Sequence, residues 1–109
     1  MKKPKIGETY YFVPYDSREN HQELVVTSIG TKYFYTTHWH KFDKKSYIED
    51  CGKYSSSGRI FNDEKDYNLS LRAASCKMEI PSLLVGFSVQ DVVDVYEYIK
   101  NKISNYEKD

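Results

Sequence analysis

The run Gln22-Glu23-Leu24-Val25-Val26-Thr27-Ser28-Ile29, then Gly30-Thr31, then Lys32-Tyr33-Phe34-Tyr35-Thr36-Thr37-His38 decides the architecture. Two β-branched and aromatic segments flank a short glycine-containing turn, the pattern of an antiparallel hairpin. In the second segment Tyr33, Tyr35 and Thr37 share one face, and Phe34, Thr36 and His38 share the other. Rings on both faces suit a strand in a small barrel, or one with a covered outer face.

Working outward, Glu8-Thr9-Tyr10-Tyr11-Phe12-Val13 follows Gly7 and is ended by Pro14, which marks a first strand. Tyr15 to His21 is polar and reads as an exposed loop. On the other side, His38 to Phe42 continues the third strand or turns into a fourth. Asp43 to Gly58 is a long polar insert, with Tyr47-Ile48 as a short strand inside it, and Gly58-Arg59-Ile60-Phe61 closes the β half.

From Asn62 the period changes. Tyr67, Leu71, Ala74 and Met78 recur at helical spacing, with Asn62 or Asp63 as cap. A strand reading of Tyr67, Leu69, Leu71 and Ala73 competes, and the helix is preferred. Ile80 to Phe87, interrupted by Pro81 and Gly86, is expected to be a buried connector. Ser88 then caps a final helix whose Val89, Val92, Val93, Tyr96, Ile99 and Ile103 line one face. Asp91, Asp94 and Glu97 come early and Lys100 and Lys102 late, as the helix dipole favours. Asn105 to Asp109 are expected to fray.

A chain of 109 residues is one domain by length. Hydrophobic residues make up 39% and charged residues 29%, neither a disordered nor a membrane composition. No apolar run approaches the roughly 20 residues a spanning helix needs, and the basic start Met1-Lys2-Lys3 has no signal-peptide pattern after it. Cys51 and Cys76 lack metal-knuckle spacing and read as reduced thiols of a cytoplasmic protein. Sixteen basic residues balance sixteen acidic ones; residues 1–62 carry ten against seven, and residues 63–109 six against nine. So mild an asymmetry argues against sequence-independent duplex binding, which needs a basic face.

The unusual feature is eleven Tyr, five Phe and one Trp. Tyr10, Tyr11, Phe12, Tyr33, Phe34, Tyr35 and Trp39 exceed what a barrel of this size encloses, so some rings must lie outside. Such rings serve protein hot spots. With Lys32, Lys41, Lys44, Lys45, Lys53 and Arg59 nearby, they equally suit single-stranded nucleic acid. His38 and His40, two apart on a strand, would point the same way and offer two nitrogens to a metal, with His21, Asp43 or Cys51 completing a site. Neither cysteine has a catalytic setting, and no glycine-rich phosphate loop is present.

The order Ile6-Gly7-Glu8, then Val25 to Tyr35, then Arg59-Ile60-Phe61 and the acidic Asp63-Glu64-Lys65-Asp66-Tyr67, resembles small phage- and prophage-encoded SH3-like β-barrel proteins. The resemblance covers about the first 70 residues and leaves the Asp43–Gly58 insert and the Ile80–Phe87 connector unmatched. It implies a phage accessory protein that acts on a host factor, and it brings no catalytic residues.

The expected fold is therefore α+β: a partly open SH3-like barrel of about five antiparallel strands with a C-terminal helical segment packed on one side. The leading expectation for function is a non-enzymatic protein, without cofactor, that inhibits a host protein by occluding it. Tyr15, Tyr35, Trp39 and Tyr47 are its candidate contacts. Single-stranded nucleic-acid or nucleotide binding by the same face is the alternative. A metal-dependent enzyme built on His38 and His40 is the third reading.

Overall fold

The computed structural model describes residues 1–107. Five antiparallel strands are followed by two helices, an α+β arrangement. The strands are β1 (Thr9–Pro14), β2 (Gln22–Ile29), β3 (Tyr33–Thr36), β4 (His40–Asp43) and β5 (Gly58–Phe61). The helices are α1 (Glu64–Leu83) and α2 (Val89–Glu107). The sheet order β4-β3-β2-β1-β5 makes β1 to β4 a meander and returns β5 to the free side of β1, giving a half-barrel. The chain divides into two compact units, Met1–Leu71 and Arg72–Asp109, with the boundary inside α1.

In the first unit the period-2 pattern sets the core. Tyr10 and Phe12 of β1, Leu24 and Val26 of β2, Phe34 of β3, Phe42 of β4 and Ile60 of β5 are buried together. A register shift between Val26 and Ser28 bends β2. Phe34 stacks on Phe42 at 5.4 Å and lies 5.6 Å from Tyr10. Gly58 is required where β5 crosses β1: a β-carbon there would meet the Val13 carbonyl oxygen at 2.5 Å and the Phe12 ring at 2.7 Å.

The N-terminus is strapped over one end of this core. The Lys2 carbonyl accepts from the Tyr10 hydroxyl at 2.7 Å, and the Lys2 N–H donates to Asn62 at 2.9 Å. The start of α1 belongs to the same unit. Asp63 caps it through the Asp66 N–H at 2.8 Å, and Tyr67 lies against Tyr11, His21 and Phe61 at 5.1 to 5.6 Å.

In the second unit the structure corrects the expected buried connector. Ile80 to Leu83 complete α1, which runs through Pro81, and Leu84–Gly86 form a 3-10 turn. Ile80, Leu83, Val85 and Phe87 are all exposed. Ser88 caps α2 as expected, its Oγ accepting from the Asp91 N–H at 3.1 Å. Of the segment expected to fray, Asn105 to Glu107 continue α2, and residues 108–109 lie outside the described residues. Among the described residues no helix is long and apolar enough to cross a membrane.

Candidate binding surface

Because Phe34 and Thr36 turn inward, Tyr33 and Tyr35 must stand on the outer face of β3. The β3–β4 register sets Tyr35 beside Lys41 and Tyr33 beside Asp43. The Lys41 ammonium lies 4.6 Å from the centre of the Tyr33 ring and the Lys32 ammonium 5.2 Å, two cation–π contacts on one ring. A hydrogen bond with Tyr33, followed by its charge, raises the Lys32 pKa above the ordinary value. Asp50 sits 4.0 Å from Lys41, so this face mixes both charge signs.

The hairpin does not turn as the sequence suggests. Strand β3 stops at Thr36, and Thr37–Trp39 form a 3-10 turn in which His38 (φ 62°) and Trp39 (φ 65°) both occupy left-handed backbone. The Thr37 hydroxyl anchors the turn by accepting from the Val25 N–H at 3.1 Å. Trp39, at the tip, is 100% exposed.

This turn removes the premise of the histidine pair. His38 belongs to the turn, and His40 opens β4, so the two do not alternate along one strand. His40 Nδ1 instead bonds the Glu49 carboxylate, whose other oxygen accepts from the Ser57 N–H at 2.8 Å and the Ser57 hydroxyl at 2.6 Å. Glu49 is 8% exposed. Burial alone would raise its pKa, but the Ser57 and His40 hydrogen bonds outweigh burial and hold it below the ordinary glutamate value. The network ties the start of β4 to the middle and the far end of the insert. The sequence gives no sign of it, since Glu49-Asp50 looks like any surface acidic pair. Among the described residues no three His, Cys, Asp or Glu side chains converge as metal ligands. Cys51 is half-buried, and burial, then the Glu49 charge, pushes its thiol pKa up; Cys76 is exposed.

The four expected contact residues fall in two places. Tyr35, 39% exposed, and Trp39 belong to the β3–β4 hairpin. Tyr15 is exposed and lines, with Tyr47, Ile48 and Arg59, a groove of about 410 Å³ beside β5. Tyr47 turns mostly inward. Its left-handed backbone (φ 60°) brings the ring within 6.0 Å of Phe34, and its hydroxyl donates to the Lys2 carbonyl at 3.2 Å.

A family model described as Phage ProQ C-terminal-like domain matches residues 1–107. No curated protein and no solved structure matches the chain.

Proposed function

This chain belongs to the Phage ProQ C-terminal-like domain family, and on that premise we propose that it is a non-enzymatic phage accessory protein that binds and occludes a host protein through its β3–β4 hairpin. One observation carries the reading: the only Trp of the chain stands fully exposed on left-handed backbone at the tip of an anchored turn. A bulky residue on such backbone is strained, and strain of this kind collects at sites of contact. Capturing that ring buries a large apolar surface, and Trp and Tyr are the usual anchors of protein interfaces. Two groups that chemistry could draw on are tied into the fold: Glu49 is hydrogen-bonded by Ser57 and His40, and burial pushes the Cys51 thiol pKa up.

Single-stranded nucleic acid is the second reading, supported by Lys32, Lys41, Lys44 and Lys45 around Tyr33 and Tyr35. The protein reading is favoured because the Lys41 and Lys32 ammonium groups already lie against the Tyr33 ring on which a base would stack.

The test is affinity capture from host lysate with the full chain, its Trp39→Ala variant and its Tyr35→Ala variant, before and after nuclease treatment. A nuclease-resistant partner is expected whose affinity falls about tenfold or more with Trp39→Ala. Capture indifferent to Trp39→Ala removes the hairpin from the interface. Oligonucleotide binding that collapses between 50 and 200 mM salt, as phosphate neutralisation requires, replaces the protein reading with the nucleic-acid one.

A further inference from the structure

Helix α2 carries a second surface, unrelated to the hairpin. Val89, Val92, Tyr96, Ile99, Ile103 and Tyr106 recur at alternating spacings of three and four, the a and d positions of a heptad. Each of the six is between 40 and 85% exposed. Helix α1 carries its own exposed line at the same spacing, Leu69, Ala73, Cys76, Ile80 and Leu83, but with the small Ala73 and Cys76 at its centre. The composition of α2 does not hold a helix by itself. Its four valines and two isoleucines are weak helix formers, and short helices in water depend on packing.

Charge decides what packs there. From Val89 to Glu97 the helix carries Asp91, Asp94 and Glu97 and no cation; from Tyr98 to Tyr106 it carries Lys100 and Lys102 and no anion. A second α2 laid antiparallel sets the lysines of each copy beside the acidic half of the other. A parallel copy sets like against like. The antiparallel register also interleaves sizes: Val89 meets Tyr106, Val92 meets Ile103 and Tyr96 meets Ile99, and a two-fold axis repeats every layer. We infer that the chain self-associates as a two-fold antiparallel dimer through the apolar stripe of α2.

Sedimentation equilibrium of the full chain over micromolar concentrations tests this. A dimer is expected, and Ile99→Asp converts it to monomer. The double variant Lys100→Glu/Lys102→Glu weakens the dimer by about tenfold or more, because like charges then face each other on both sides of the axis. Adding Asp94→Lys/Glu97→Lys to that variant restores it. A wild-type monomer at every concentration overturns the inference, whether α2 then binds lipid vesicles, another protein or nothing. A dimer indifferent to Ile99→Asp overturns it too, and a dimer indifferent to the charge reversals overturns the antiparallel order. If Ile99→Asp fails to fold, the charge variants, which leave the stripe intact, carry the test.

Discussion

At φ 65°, the Trp39 β-carbon crowds its own backbone, a conformation that glycine adopts without penalty. Its ring meanwhile is fully exposed and holds nothing in place. Trp39→Gly is therefore expected to raise stability by about 0.5–1 kcal/mol while abolishing partner capture, two readouts that move in opposite directions. A Trp39→Gly variant less stable than wild type by urea denaturation shows that the ring supports the fold instead. Glu49 is the opposite case, a charge serving only structure. Its folded pKa lies below the ordinary 4.5, so its contribution is complete above that value and disappears as the pH falls through the folded one. Glu49→Gln, which cannot ionise, should be less stable than wild type at pH 7 by about 1–3 kcal/mol. That gap should close below the ordinary glutamate value. Urea midpoints measured from pH 7 to pH 3 check this, and a constant gap means that the charge is not what matters.

The strands were readable because each side of the sheet repeats with period 2 and each end carries a breaker. Gln22–Ile29 and Gly58–Phe61 form strands over the residues expected. What the pattern hid was backbone of unusual handedness. His38, Trp39 and Tyr47 all take positive φ without being glycine. Two of them undo the strand that would have paired His38 with His40, and the third folds the Tyr47 ring toward Phe34. Apolar content misled at Ile80 to Phe87, where α1 continues through Pro81 and leaves those side chains in solvent. The surplus of rings outside the barrel was readable from number and volume alone, and Tyr35 and Trp39 bear it out. At the level of caps, Ser88 was visible from its place before the valine stripe. Ser88→Ala removes the acceptor of the Asp91 N–H and should destabilise α2 by about 1 kcal/mol. The far-UV circular dichroism of the full chain should lose helical signal with this substitution, and Ser88→Asp should restore it. An unchanged spectrum with Ser88→Ala shows that the cap does not limit the helix.

Taken whole, the molecule concentrates its interior in one unit. Among the described residues every buried apolar side chain, from Tyr10 to Ile60, lies between Met1 and Leu71, as do the Lys2 strap, the Glu49 network and the Tyr67 contacts. Apolar burial is the main favourable term in folding, so the stability of that unit is set by residues it contains. Domains of about 55–65 residues fold alone when their core is complete. A chain ending at Leu71 keeps two turns of α1, including the Asp63 cap and Tyr67 against Tyr11 and Phe61. It is therefore expected to unfold in one cooperative transition with a urea midpoint close to that of the full chain. It should also capture the partner of the hairpin as well as the full chain does, while failing to dimerise. If the shortened chain instead melts without a cooperative step, residues 72–109 contribute to the half-barrel after all. If it keeps its fold but loses the partner, the hairpin is not sufficient and the helices share in recognition.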